Sequence, residues 1–164
     1  MKATVLSNLG ERTYVLVFGS GDEVMAGLSA FAEEHHLGAS RFTAIGAFSD
    51  VILGFFNWER KNYDMIPIRN QLEVLSLVGD IVIEGDKPKV HAHAVVGKAD
   101  GTAHGGHLLE AHVLPTLEVV LTESPKHLVR TVDRESGLAL IDLGTSPSKP
   151  KRHSDTLMGL IHDT

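Results

Sequence analysis

Ten histidines and no cysteine leave imidazole as the chain's main ligand for a transition-metal ion. His91 and His93 lie two residues apart in the segment VHAHAVV, whose β-branched residues predict a strand over residues 90–97. Alternate side chains of a strand point to one face of its sheet, so the two imidazoles are expected side by side. Because imidazole is a good ligand for zinc and neighbouring divalent ions, the pair is a candidate for metal binding.

A third histidine, His107, is expected to return to this pair across a hairpin. Asp100-Gly101 predicts the turn. Gly105 and Gly106 are expected to bend the chain just before His107, because glycine adopts backbone conformations closed to other residues and permits close approach. Three imidazoles with a fourth position open suit a four-coordinate Zn²⁺, although nickel or iron also accepts imidazole. The sequence therefore predicts a divalent-metal site on these three histidines, with zinc as the expected ion.

Other interpretations of the histidine cluster stay open. His104 could replace His107 as the third ligand, and His112 could approach as well. A His-x-His pair also occurs on wet strand faces without any metal, so spacing alone does not decide ligation. Glu73 could orient a ligand imidazole or act as a general base. An edge carboxylate in water, or an ion pair of Glu73 with Arg12, is at least as good an interpretation. No catalytic residue is assigned.

Composition indicates one globular domain. The chain has 164 residues, of which 43% are hydrophobic and 22% charged, as is usual for such domains. We expect the domain to span residues 1–143 and the Pro/Ser/Lys-rich residues 144–164 to form a polar, flexible tail. No apolar run reaches the roughly 20 residues that cross a bilayer, and no secretory signal is recognisable, so a cytoplasmic protein without a membrane partner is expected.

Acidic residues outnumber basic ones, and the formal net charge is −6. DNA-binding surfaces normally gather basic side chains into patches that displace counterions. The one basic cluster of the sequence is Lys149, Lys151 and Arg152, in the segment SPSKPKRHS. A solvated tail is a better interpretation of this cluster than a nucleic-acid contact.

The N-terminal region predicts a strand followed by a helix. TYVLVF, residues 13–18, is β-branched and aromatic and reads as a strand. Ser20 and Glu23 have the spacing of a capping box, which predicts a helix start, and Leu37-Gly38 is expected to end the helix. Apolar residues at helical spacing predict one buried stripe, made of Val24, Leu28, Phe31 and Ala32.

The rest of the sequence reads mostly as strands. The predicted strands are residues 41–58 as two strands meeting near Ser49-Asp50, 63–71 as an edge strand because it contains Pro67, 72–86 with a bend or bulge at Gly79, 111–123, and a hairpin around residues 135–137. One helix and many strands, without repeated strand–helix–strand units, predict an α+β fold with a mostly antiparallel sheet.

Three stretches together resemble the plants-and-prokaryotes conserved (PPC) domain over roughly residues 10–143. They are the opening strand and helix with Arg12, FTAIGAFSDVILGFF, and LEVLSLVGDIVIEGDKPKVHAHAVVGKADGTAHGGHLLEAHVLPTLEVVLTE. The resemblance implies an α+β fold with a strongly bent sheet, assembly as a homotrimer, and a metal site, usually zinc, on His91, His93 and His107.

The resemblance also implies an association with DNA, because in plants the domain follows AT-hook motifs. This sequence has no R-G-R-P core of such a motif, so DNA as a partner rests on analogy. The expected function is that of a zinc-binding homotrimer with a regulatory or DNA-associated role. The alternative is a metal-dependent enzyme or small-molecule-binding protein that uses the open three-histidine site.

Overall fold

The computed structural model describes residues 1–144, apart from the side chains of residues 3–9. The predicted tail beyond Gly144, with its basic cluster, lies outside the described residues. In chain order the elements are β1 (Lys2–Leu9), β2 (Glu11–Gly19), α1 (Val24–Glu34), β3 (Ala39–Asn57), β4 (Asn62–Ile68), β5 (Leu72–Glu84), β6 (Lys87–Gly97), β7 (Ala103–Glu123), β8 (Val129–Val132) and β9 (Ala139–Asp142).

The prediction of an α+β class is wrong, because the described chain is a β-rich fold. One helix of 11 residues accompanies nine strands, and β3 and β7 are 19 and 21 residues long. All nine strands belong to one sheet. Every pairing is antiparallel except the short contact between β5 and β8. Strands β3, β5, β6 and β7 each pair with two of the others and so form a closed ring of pairings.

Helix α1 packs against strands β6 and β7 of the sheet. Its predicted apolar stripe is buried, at Val24, Leu28, Phe31 and Ala32. The predicted capping box is wrong in its first residue. Glu23 is itself the N-cap, and its carboxylate accepts from the backbone N–H groups of Met25 and Ala26, which satisfies donors that a helix start leaves free. Ser20 instead donates to the carbonyl oxygen of Pro115.

The strands differ from their predicted forms at two points. Residues predicted as two strands around Ser49-Asp50 form the single strand β3, which pairs with β7 on both sides of that point. In β5 the pairing with β6 is irregular between Val74 and Ser76 rather than at Gly79. Gly79 lies in regular strand, where a Cβ would collide with the Phe42 ring and the His91 carbonyl oxygen.

Other predicted features of the strands are confirmed. β4 contains Pro67 and pairs only with β3, as an edge strand. The hairpin around residues 135–137 joins β8 to β9, and Asp133 accepts at its turn from both the backbone N–H and the hydroxyl of Ser136. No helix in residues 1–144 is long and apolar enough to cross a membrane.

Candidate metal centre

The β6–β7 hairpin brings His93 and His107 opposite each other, with ring centroids 5.2 Å apart and planes nearly perpendicular at 87°. Its turn is closed by two backbone hydrogen bonds of 2.9 Å, from Lys98 N–H to Thr102 and from Gly101 N–H to Lys98, with Gly101 in the left-handed region at φ 81°. The register that follows pairs His93 directly with His107. Opposite residues of antiparallel strands share a face, and the predicted turn therefore positions these two imidazoles.

The three imidazoles converge. One ring nitrogen from each of His91, His93 and His107 lies within 4.8 Å of the others, and Nε2 of His91 is 3.3 Å from Nε2 of His93. Nitrogens bound to one tetrahedral zinc ion at about 2.0–2.1 Å lie about 3.3–3.4 Å apart. The spacing of the first two rings therefore fits a shared ion, and a ring nitrogen of His107 lies within 4.8 Å of both.

Burial favours the neutral form of two imidazoles of this cluster, His93 and His107. It lowers the pKa of His93, to which the charge of His91 also contributes. It lowers the pKa of His107 to about 4, with smaller contributions from His91, His93 and Lys89. Neutral imidazoles keep the lone pairs that a metal requires. Nδ1 of His107 is also buried and has no hydrogen-bond partner within residues 1–144, a state rarely left uncompensated.

An aromatic side chain supports His107 from the neighbouring edge strand. The Tyr63 ring stacks on the His107 ring, with centroids 4.6 Å apart and planes 27° apart. Gly54, which pairs with His107 across β3 and β7, makes this possible, because a Cβ there would lie 2.8 Å from Tyr63 Cδ1. The contact depends on pairing between distant segments, so residue spacing gave no sign of it.

Two polar side chains lie behind His91. Asp80 pairs with His91 across β5 and β6, and its Oδ2 lies 3.9 Å from His91 Nδ1. Arg130 Nη2 lies 2.5 Å from Asp80 Oδ1 and 3.3 Å from His91 Nδ1. Burial acts to raise the pKa of Asp80, but the neighbouring His91 and Arg130 side chains outweigh it and lower that pKa. Sequence reasoning missed both residues, although the Gly85-Asp86 turn predicts the register that sets Asp80 opposite His91.

Comparison with known proteins places the chain in a family. The family model of the Plants and Prokaryotes Conserved (PCC) domain matches residues 6–125. The chain belongs to this family. No curated protein matched the chain. The match to the family model confirms the family membership that the sequence motifs suggested.

Solved structures of other proteins resemble this PCC domain. A metal-containing protein from Archaeoglobus fulgidus is 32% identical, with a TM-score of 0.72 over 79% of this chain and 91% of that one. A candidate DNA-binding protein from Ralstonia eutropha is 31% identical, with a TM-score of 0.77 over 85% and 95%. A plant- and prokaryote-conserved protein from Pyrococcus horikoshii is 28% identical, with a TM-score of 0.76 over 86% and 94%.

Two other histidines of the PCC domain stay apart from the cluster. His104 pairs with Val96 near the hairpin turn and is not part of the converging group. His112 lies further along β7, where its Nδ1 is 2.9 Å from Asp50 Oδ1. The hydrogen bond to Asp50 raises the pKa of His112, and the charges of nearby carboxylates add to it. Neither residue takes the place of His107.

The remaining predicted site residues occupy other positions in the PCC domain. Glu73 pairs with Gly97, at the far end of β6 from His91, and lines an open cavity of about 490 Å³ together with Glu118. Arg12 pairs with Glu123 on β7, and its guanidinium carbon lies 6.0 Å from the ring centre of Tyr14. The carboxylate beside the triad is that of Asp80.

The paired glycines lie inside β7 rather than at a bend. Gly105 and Gly106 pair with Val95 and Ala94, and neither has a positive φ. Gly106 allows a close approach instead, because a Cβ there would lie 2.8 Å from the carbonyl oxygen of Gly54. At Gly105 the nearest atom would be the Ala94 carbonyl oxygen at 3.3 Å, a milder contact.

Proposed function

We propose that this PCC domain binds a divalent metal ion through His91, His93 and His107, and that the ion is zinc. The convergence of three imidazole nitrogens within 4.8 Å of one another carries the proposal. The buried, unpartnered Nδ1 of His107 supports it. The Archaeoglobus fulgidus relative, described as metal-containing, supports it as well.

Three protein ligands suit an ion that keeps one position for an exchangeable group. When bound, zinc there would offer a Lewis-acid position to water or a small ligand. The protein's part is to fix the imidazoles on rigid strands and to shield His107 with Tyr63. A regulatory, ligand-sensing role agrees with such a site. Catalysis would need a free proton acceptor as well, and the carboxylate beside the triad, Asp80, is engaged by Arg130.

The exposed face of the sheet supports self-association, and we infer the homotrimer that the family resemblance implies. Across β7, β3 and β5, Val120 pairs with Thr43, and Thr43 pairs with Val78. Val78 is 46% exposed and Val120 47%. Further exposed apolar side chains on neighbouring strands are Ile45, Leu75 and Val95. An uncovered apolar area of this kind is typical of an interface.

A Val120→Lys variant tests the assembly. Light scattering coupled to gel filtration should give the mass of three chains for the wild type and a smaller mass for the variant. A wild type that elutes as a single chain at every concentration would end the trimer proposal and leave the metal proposal standing.

A DNA-associated role is the second candidate, supported by the description of the Ralstonia eutropha relative. The net charge of −6 opposes strong duplex binding by the domain itself. If DNA binds, affinity should fall steeply with salt and depend on residues 145–164, which contain the basic cluster. Fluorescence anisotropy with labelled duplex, on the full chain and on a chain ending at residue 144, measures this, and no binding at low salt rejects the role.

Metal content tests the main proposal. Purified protein should retain about one zinc per chain after dialysis, and the His91→Ala/His93→Ala variant should retain none. His104→Ala is the matched control, because His104 lies on the same hairpin outside the cluster. Equal zinc in the wild type and the double variant would refute the site.

A further inference from the structure

A buried arginine connects the C-terminal hairpin to the histidine cluster. Arg130 lies on β8, beyond the residues matched by the family model, and its side chain is only 8% exposed. Its Nη1 donates to the carbonyl oxygen of Ala139 at 2.9 Å, and its Nη2 lies 2.5 Å from Asp80 Oδ1. The guanidinium therefore joins both strands of the hairpin to β5 directly behind the site.

Attachment of the hairpin to the sheet does not by itself explain why the charged Arg130 side chain is buried. Among the described residues, Arg130 Nε is buried without a hydrogen-bond partner, and an incompletely paired buried charge is costly. Replacing buried ion pairs with apolar residues of similar volume is often neutral or stabilising. An apolar side chain at this position would therefore attach β8 to the sheet at a lower cost.

The orientation of the His91 ring indicates a role for Asp80 and Arg130. Nε2 of His91 faces Nε2 of His93 at 3.3 Å, while its Nδ1 faces Asp80 Oδ2 at 3.9 Å and Arg130 Nη2 at 3.3 Å. A histidine that binds a metal through Nε2 carries its proton on Nδ1 and usually donates it to a carboxylate. In the structure Arg130 Nη2, which can only donate, hydrogen-bonds to His91 Nδ1 at 3.3 Å. Metal binding through Nε2 therefore requires the ring proton to move to Nδ1, where the nearby Asp80 Oδ2 can accept it in place of the Arg130 contact.

We propose that Asp80 and Arg130 are positioning residues of the histidine site, with Arg130 holding Asp80 Oδ1 so that Oδ2 can accept from His91 Nδ1. A modest rotation of the carboxylate brings the 3.9 Å separation to hydrogen-bond length. The C-terminal hairpin then belongs to the metal centre. This inference rests on the proposed metal binding, since it concerns the ligand ring of the same site.

The test compares zinc affinity with stability in the intact chain. Removing Asp80 alone would strand a buried guanidinium and could unfold the protein, so the main variant is Asp80→Leu/Arg130→Leu, which removes both charges. Competition with a chromogenic chelator should show zinc affinity about 10- to 100-fold weaker than in the wild type. The midpoint of thermal unfolding without metal should change little, because the pair is replaced by apolar side chains.

Three single variants separate positioning from a general effect of charge. Arg134→Met removes an exposed arginine from the same hairpin and should leave zinc affinity unchanged. Arg130→Lys keeps a donor for Asp80 and should bind zinc more tightly than Arg130→Met. Equal zinc affinity in the wild type, the double variant and Arg130→Met would overturn the inference while leaving the metal site intact.

A measurement without metal keeps the two proposals distinguishable. The ¹⁵N shifts of the His91 ring report which nitrogen holds the proton and what it contacts. They should change between the wild type and Asp80→Leu/Arg130→Leu and stay constant in Arg134→Met. If the wild type took up no zinc, the proposed function would fail, and unchanged ring shifts in the double variant would overturn the positioning role independently.

Discussion

Two histidines on one strand, His107 and His112, have opposite electrostatic surroundings. Burial and neighbouring imidazoles lower the pKa of His107 to about 4. The carboxylate of Asp50, 2.9 Å away, raises the pKa of His112. Neighbours on adjacent strands thus leave one imidazole neutral and available as a ligand, while the other is held by a hydrogen bond. The difference explains why histidine count alone does not locate a metal site.

Removing each histidine in turn is the most direct test of the difference between His107 and His112. His107→Ala should weaken zinc binding by more than the roughly 100-fold that outer-shell changes cause, because it deletes one of three ligands. His112→Ala should leave zinc affinity unchanged. Isothermal titration with zinc measures both, and equal losses in the two variants would show that the cluster is not the binding site.

The glycines before His107 give the next largest effect. Gly106→Ala should destabilise the domain by about 1–3 kcal/mol, because its Cβ would lie 2.8 Å from the backbone oxygen of Gly54, on the strand opposite His107. Zinc affinity should fall with it, since β7 must move away from β3. Gly105→Ala is the matched control and should have the smaller effect. Thermal unfolding and zinc titration check both variants, and a greater loss at Gly105 would contradict the packing described.

The titration of the two rings sharpens the comparison further. In metal-free protein, His107 should stay neutral well below pH 6.5, whereas His112 should stay protonated above it. The lowered pKa of His107 contributes stability that is present above pH 6.5 and is lost as pH falls towards about 4. NMR titration of the ring carbons measures both values, and a shared midpoint near 6.5 would remove the distinction.

The smallest expected effect concerns the exposed pair of Asp50 and His112. Asp50→Asn should lower stability by no more than about 1 kcal/mol, because the Asp50 and His112 side chains are both over one-third exposed. A raised histidine pKa stabilises the fold below pH 6.5 and ceases to do so as pH rises through the folded value. Urea unfolding should therefore give a lower free energy of unfolding for the variant than for the wild type at pH 5.5, and equal values at pH 9. The reverse order would contradict the assigned hydrogen bond.

Local patterns were sufficient to predict that the three imidazoles converge. The two-residue spacing of His91 and His93 fixes their common face, and the turn at Asp100-Gly101 sets the register that pairs His93 with His107. The helix stripe was also predictable, because a period of 3.6 residues needs only local sequence. These features depend on contacts within a hairpin or a few helical turns.

Long-range pairing accounts for what was missed. Ser49-Asp50 has turn-forming residues, but Asp50 is held by His112, 62 residues away, and β3 continues through it. The predicted α+β class was wrong for the same reason, since strand length is set by partners distant in sequence. Tyr63 and Arg130 reach the histidines from separate strands, 44 and 39 residues from their partners in the site, and no spacing rule covers such distances.

Anomalous diffraction at the zinc edge, from crystals of the intact chain supplied with zinc, tests the central claim most directly. The account predicts a peak about 2.0–2.1 Å from one nitrogen of each of His91, His93 and His107, and no peak at His112. Density showing the three rings turned apart, or zinc bound only elsewhere, would contradict it.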